Sequence, residues 1–258
     1  MRPAAHPAAR ILVLGGTGEA RQLAADLAER PDVTVVTALA GRLSTPTLPV
    51  GPVRVGGFGG PDGLACWLRA EHVDAVVDAT HPFAATITAS AVAACAATGT
   101  PLLVLRRPGW QPQPGDDWHR VPSLPAAAAL LPDLGERVLL TTGRQGVAAF
   151  AAVTACWFLI RAVEAPGPPS PQRMRLLLDR GPYQLAGELA LLAEHRIDTL
   201  VTKDSGGPMT AAKLVAARQL RLPVVVVDRP PAPAAPTVTT VAAALGWLAR
   251  PVNVAGLW

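Results

Sequence analysis

The chain alternates short, uninterrupted apolar runs with alanine- and leucine-rich segments, and this alternation constrains its fold more than any other feature. The runs are 11–14, 33–36, 53–55, 75–77, 102–105, 138–140, 157–160, 199–201 and 224–227. They lack the polar alternation of a half-exposed strand, so they read as strands buried on both faces. Helices are expected between them at 19–30, 62–71, 83–98, 145–153, 185–194 and 209–219. Strand–helix–strand repetition predicts an α/β fold with parallel sheets and helices on both faces. The Pro-, Gly- and Trp-rich stretch 106–135 interrupts the pattern, which restarts at Val138. A length of 258 residues suits two domains. Two Rossmann-like domains are therefore expected, 1–134 and 135–258, with mainly parallel sheets facing a shared cleft. A Pro/Ala-rich connector, 230–236, leads to a last short helix at 241–248.

Composition narrows the function classes. Of 23 basic side chains only two are lysines, Lys203 and Lys213, and both fall in one eleven-residue segment. The arginines are dispersed and aromatics make up 4%, unlike a basic nucleic-acid surface with interleaved rings. A pI near 9.5 suits anionic ligands without choosing among them. Cys66, Cys95 and Cys156 show no CxxC spacing and are odd in number, so they read as buried thiols of a reducing cytosol. No histidine has metal-ligand spacing, and no metal is expected. The first ten residues lack the apolar core of a signal peptide. The uncharged run 79–105 is broken by His81-Pro82 and Thr98-Gly99-Thr100-Pro101, and reads as helix, turn and strand, not a membrane span.

The polar residues cluster where strands end, the place where open parallel sheets bind ligands. Run 11–14 leads into Gly15-Gly16-Thr17-Gly18-Glu19-Ala20-Arg21. These glycines let an anion approach the backbone at a helix N-terminus, or simply make a tight strand–helix turn. The GxGxxG/A fingerprint is incomplete, because Arg21 occupies the third small position. Residues 34–41 carry no acid to hold ribose hydroxyls; Gly41 is followed by Arg42, which suits a 2′-phosphate and favours NADP over NAD. Run 75–77 leads into Asp78-Ala79-Thr80-His81-Pro82-Phe83. Pro82 suits the first helical turn, so Thr80 and His81 either cap that helix or face a ligand.

In the second half, run 138–140 leads into Thr142-Gly143-Arg144, and run 224–227 into Asp228-Arg229. Run 199–201 leads into Thr202-Lys203-Asp204-Ser205-Gly206-Gly207, followed by Thr210 and Lys213. A lysine is a compact cation whose pKa responds to burial. Gly206-Gly207 permits an anion-binding nest. Asp204 is either a general acid or the group that orients Lys203. Arg180-Gly181-Pro182 places Tyr183, the sole tyrosine, against a ligand or in a structural turn. The GxxxxGK[ST] phosphate loop is absent. Gly187, four residues after Tyr183, stands where a short-chain reductase needs lysine.

Taken in order, Gly15-Gly16-Thr17, Ala40-Gly41-Arg42, Asp78-Ala79-Thr80-His81-Pro82-Phe83-Ala84, Thr142-Gly143-Arg144, Arg180-Gly181-Pro182-Tyr183 and Thr202-Lys203-Asp204-Ser205-Gly206-Gly207 resemble the precorrin-6A reductase family of cobalamin biosynthesis. The resemblance spans about residues 10–230. It implies a cytoplasmic oxidoreductase acting on a CH–CH group, which transfers hydride from NADPH to the precorrin-6A macrocycle and gives precorrin-6B. It implies that Gly15, Gly16, Thr17, Glu19, Arg21, Gly41, Arg42, Thr80, Ser205 and Gly206 hold the cofactor. Asp204, Lys203 and His81 are then the catalytic set, the proton coming from Asp204, His81 or a bound water. Arg144, Arg180, Tyr183, Gly207, Thr210, Lys213 and Arg229 would meet the polycarboxylate tetrapyrrole, since arginine pairs bidentately with carboxylates. Partners are limited to this substrate and to contacts with neighbouring pathway enzymes that pass it on, with no nucleic acid and no membrane. The rival readings are a cobalt-precorrin-6A reductase using NADH, another NADPH reductase, and a non-catalytic tetrapyrrole- or nucleotide-binding module.

Overall fold

The structure is a computed structural model that describes residues 8–41 and 48–249. The chain forms β1 (Ala9–Leu14), α1 (Gly18–Ala28), β2 (Val33–Leu39), β3 (Val53–Val55), α2 (Gly60–Ala70), β4 (Ala75–Asp78), α3 (Ala85–Thr98) and β5 (Leu102–Leu105). It continues through β6 (Asp117–Val121), α4 (Leu124–Leu130), β7 (Arg137–Thr141), a 3₁₀ segment (Arg144–Phe150), β8 (Trp157–Ala162) and β9 (Met174–Leu178). Then come α5 (Leu185–Glu194), β10 (Thr199–Lys203), α6 (Ala212–Leu220), β11 (Pro223–Val227), β12 (Thr237–Val238) and α7 (Val241–Leu248).

The strands make two six-stranded sheets, ordered β12-β5-β4-β1-β2-β3 and β6-β11-β10-β7-β8-β9. All strand pairings among the described residues are parallel. Each expected apolar run is a strand, and the central ones are buried on both faces: Ile11, Leu12, Val13 and Leu14 are all at most 5% exposed. Ile11 and Val13 face α1 and α7 across one layer, while Leu12 and Leu14 face α2 and α3 across the other. This alternation is why residues 11–14 of β1 carry no polar side chain.

The chain divides into two units. Unit 1 takes the residues up to Arg107 and those from Pro230 onward; unit 2 is Pro108–Arg229. The division differs from the expected 134/135 boundary for a topological reason. β6 and α4 precede that boundary yet join unit 2, β6 pairing in register with β11 from Asp117↔Pro223 to Val121↔Val227. At the far end, β12 returns to pair with β5 of unit 1. The sequence pattern restarts near 135, but the chain changes unit at Pro108 and Arg229.

Local differences also have physical causes. The expected helix 145–153 is a 3₁₀ segment that starts at Arg144 and ends at Phe150. α3 begins at Ala85, so Pro82 lies in a preceding turn closed by the Ala84 N–H on the His81 carbonyl. Thr80 and His81 therefore do not cap the helix. Cys95 and Cys156 are buried as expected, but Cys66 is exposed on α2. Burial and the nearby Asp78 carboxylate push the Cys95 thiol up to about 12.

Candidate functional site

Counted from its first strand, the sheet of unit 1 runs 3-2-1-4-5-6, the order of a dinucleotide-binding fold, so its switch point lies between the carboxyl ends of β1 and β4. The glycine turn sits there. A Cβ on Gly15 would stand 2.8 Å from Thr37 Cγ2, so the backbone packs against β2 only because Gly15 has none. Gly16 has φ +114° with open space around it, a conformation that side chains other than glycine rarely adopt. Thr17 caps α1: its Oγ1 accepts the Ala20 N–H at 3.1 Å and donates to the Ala79 carbonyl at 2.7 Å. Thr17 is thus buried in the scaffold, tying the turn to the end of β4, and its hydroxyl is engaged there.

Glu19 lies in the first turn of α1, where its charge would oppose a bound anion. Arg107 reaches it from beyond β5 at 2.8 Å and compensates that charge. The Arg21 N–H donates to the Thr17 carbonyl, closing the first turn of α1. Gly41, at φ +68°, ends the β2 segment against Gly56 and Val55. Arg42 lies outside the described residues.

At the end of β4, the buried Asp78 carboxylate accepts the Thr80 N–H, the Thr80 hydroxyl and the Thr88 hydroxyl, at 3.0, 2.7 and 2.6 Å. This folds Asp78–His81 into a fixed turn. His81 Nδ1 accepts the Phe83 N–H at 3.3 Å. Thr80 and His81 line a cavity of about 460 Å³ with Asp78, Arg106, the exposed alanines of α3 and the strap beginning at Pro230. Arg106 fastens that strap through the Pro230 carbonyl at 2.8 Å.

In unit 2 the carboxyl end of the sheet is denser in paired charges. Lys203 closes β10, and burial pushes its ammonium below the ordinary lysine range. Ser205 turns back on the Lys203 carbonyl through its N–H at 2.7 Å. Gly206 and Gly207 adopt φ +65° and +76°. Asp204 is 4% exposed, and both carboxylate oxygens are engaged: Oδ1 accepts the Trp110 N–H at 2.9 Å, and Oδ2 accepts Arg120 at 3.2 Å. Such a carboxylate is built to accept, which is a poor disposition for the proton donor expected from its position. Arg229 donates from Nε to the Asp204 carbonyl at 2.7 Å and from Nη2 to the Pro108 carbonyl at 3.0 Å. Arg229 therefore serves the scaffold of this turn.

Lys213 departs most from expectation. It is 4% exposed, donates to the Thr210 carbonyl at 2.8 Å, and its ammonium stands 4.8 Å from the Trp110 ring centroid. Burial, aided by the neighbouring Arg161 charge, lowers it to about 7. It is an interior residue and offers no surface to a substrate. Arg161 is clasped by Glu188 at 2.5 and 3.1 Å, and lies 3.8 Å over the Tyr183 ring. The Tyr183 hydroxyl bonds the Asp179 carbonyl at 3.3 Å, and burial raises its pKa. Arg144 pairs with Glu164 at 2.6 Å; Arg180 is exposed beside Asp179.

The structure thus gathers Gly15, Gly16, Thr17 and Glu19 at one strand edge, and Thr80 with His81 at a cavity. In unit 2 it gathers Lys203–Gly207 with Arg229. It takes Lys213 into the packing of α6, where Thr210 lends only its backbone carbonyl. Sequence reasoning missed Trp110, Arg107 and Arg120, all within the Pro-, Gly- and Trp-rich stretch 106–135 read as the break between domains. Their only signal is that three arginines and two tryptophans stand in a segment otherwise rich in turn residues.

The full chain compares closely with known proteins. The family model described as precorrin-6x reductase CbiJ/CobK matches residues 10–249. A protein of Rhodococcus erythropolis named precorrin-6A reductase is 60% identical, over 93% of this chain and 97% of its own. One of the same name from Mycobacterium tuberculosis is 54% identical over the same shares. A solved structure, CobK precorrin-6A reductase, superposes with a TM-score of 0.88 at 45% identity, covering 93% of this chain and 96% of that one. A cobalt-precorrin-6A reductase of Methanothermobacter thermautotrophicus is 30% identical over 85% of this chain and 76% of its own. The match along nearly the whole chain, in sequence and in fold, places this protein in the precorrin-6x reductase CbiJ/CobK family.

Proposed function

We propose that the protein is a cytoplasmic precorrin-6A reductase that uses NADPH. The observation that carries this reading is the 60% identity to a precorrin-6A reductase over 93% of the chain. The lower identity to the cobalt-precorrin relative favours the metal-free substrate. The residues fit a nicotinamide dinucleotide. Gly15 and Gly16 form a cradle that a Cβ would fill or strain, and they open onto the α1 N-terminus. Thr17 holds that cradle rigid, and Arg107 neutralises Glu19 beside it. Residues 34–41 present no acid that would select unphosphorylated ribose, and Arg42 supplies the cation expected for a 2′-phosphate. When bound, the cofactor supplies the hydride.

The chain's own groups bind, orient and protonate. Adding hydride to one carbon of a ring C=C requires a proton on the other. His81, fixed by the Phe83 N–H at the cavity mouth, is the proposed proton relay, with water as the ultimate source. Lys203, whose ammonium is weakened by burial, stays compact enough to approach a substrate carboxylate at the strand end. Arg180 and Arg144 are the proposed outer carboxylate partners. Ser205 and Gly206 shape the turn between them.

The test is anaerobic mixing of the protein with precorrin-6A and NADPH while cofactor absorbance and the macrocycle spectrum are followed together. Coupled loss of NADPH and conversion of the macrocycle is expected. Binding of both without oxidation of NADPH would overturn the reductase reading. Faster turnover of cobalt-precorrin-6A with NADH would move the protein to the other branch.

A further inference from the structure

Unit 2 begins at Pro108 and ends at Arg229, and both ends converge on Asp204. At the first end, Asp204 Oδ1 accepts the Trp110 N–H at 2.9 Å, and a Cβ on Gly109 would stand 2.6 Å from Oδ2. At the second end, Arg229 Nε donates to the Asp204 carbonyl at 2.7 Å, with Nε also 3.8 Å from Oδ2. The ends are bonded to each other as well, Arg229 Nη2 donating to the Pro108 carbonyl at 3.0 Å. The turn that follows Asp204 is pressed into the same junction. A Cβ on Gly206 would stand 2.1 Å from the Pro108 carbonyl oxygen and 2.5 Å from Arg229 Nη2. The Trp110 indole N–H bonds the Gly207 carbonyl at 2.9 Å, while Lys213 packs over its ring. Arg120 of β6 completes the set by bridging Asp204 and Asp228 at 3.2 and 2.6 Å.

We propose that Asp204 is a positioning residue, the clasp that fastens both ends of unit 2 to the Lys203–Gly207 turn and so holds that turn in its working shape. A carboxylate suits the task because it accepts the Trp110 N–H and the Arg120 guanidinium at once, with the Arg229 charge 3.8 Å away. The requirement for glycine at 206 follows from the same closeness: only a residue without Cβ fits between the Pro108 carbonyl and Arg229 at φ +65°.

The clasp is tested by peptide-level hydrogen exchange over 108–113 together with steady-state kinetics. In Asp204→Asn, exchange at the Trp110 amide should accelerate about 10-fold, since a bond to a charged acceptor is weakened. The kcat should fall while the KM for NADPH and the shape of the kcat pH profile stay unchanged. Gly206→Ala alters no titratable group yet should give the same exchange and rate changes, and the double variant should lose no more than either alone. Trp110→Phe removes only the indole bond and should shift exchange in the same direction by less, which keeps the idea testable if the other variants fold poorly. Unchanged exchange with loss of one limb of the pH profile in Asp204→Asn would overturn the clasp and make Asp204 a proton donor. Unchanged exchange and unchanged kinetics would overturn it outright. The kinetic arm rests on the reductase reading; the exchange arm needs no substrate, so the two can fail separately.

Discussion

The two units are the same fold used in two ways. Starting from β1 in unit 1 and β7 in unit 2, both sheets run 3-2-1-4-5, and each gains a sixth strand followed by a helix beyond its fifth. In unit 1 that piece is β12 and α7, from the end of the chain; in unit 2 it is β6 and α4, from before β7. The first turn of each sheet separates their uses. Unit 1 has Gly-Gly-Thr-Gly and an eleven-residue helix capped by Thr17, a surface suited to backbone recognition of phosphate. Unit 2 has Thr-Gly-Arg and only a seven-residue 3₁₀ segment, with Arg144, Arg161 and Lys203 at the strand ends. A shared topology thus carries open glycine backbone at one strand edge and paired side-chain charge at the other.

The sharpest way to break this comparison is Gly16→Val. Space is available, but φ +114° costs a β-branched residue about 1–3 kcal/mol or forces the turn to move, so NADPH affinity should fall at least 10-fold by fluorescence titration. Retained affinity would remove the phosphate role from unit 1. Lys203→Arg should lower kcat/KM for the macrocycle about 10-fold while leaving NADPH affinity intact, because a planar fork cannot replace a compact ammonium in a half-buried site. Wild-type kinetics would remove Lys203 from the substrate site. Arg144→Gln should raise the KM for the macrocycle several-fold with no effect on NADPH binding, in keeping with a side-chain edge. Thr17→Val should cost about 1–2 kcal/mol in urea unfolding by removing the cap, and should weaken NADPH binding only as the turn loosens.

A last expected effect is on stability against pH. Lys213 has a folded pKa of about 7 against an ordinary 10.5, so the unfolded chain binds more protons between those values. Its contribution therefore makes the protein more stable as pH rises through that window, and most costly below about 7. Lys213→Met should flatten the rise in melting temperature between pH 7 and 9.5. An unaltered slope would place the charge elsewhere in the cluster with Arg161 and Glu188.

The elements legible in the sequence are those buried on both faces. Residues 11–14 and 224–227 announce themselves because no polar side chain fits there, and helices 185–194 and 241–248 are found at the bounds expected. β6 is hidden because Asp-Trp-His-Arg-Val is an edge strand half in solvent, and β12 because two residues carry no pattern. The stretch 106–135 marks that the pattern breaks, but the change of unit at Pro108 is a long-range pairing property that no single residue within it announces. At the site, the glycine turn was readable from the strain that glycine relieves. The interior position of Lys213 was not: a helix of nine residues with alanine on several sides does not say which face packs inward. Asp204 could be found from its place at a strand end, but its partners come from residues 94 and 25 positions away.

The exchanged sixth strand has a consequence in time. During synthesis, every residue of unit 2 has been joined once Arg229 is made, whereas unit 1, begun first, still lacks β12 and α7. Until then the edge of β5 is unpaired, and the apolar layer of Val77, Leu103 and Leu105 that α7 covers is incomplete. The half that starts the chain is therefore the last to have all its elements in hand, and it depends on some twenty residues delivered after its neighbour is whole.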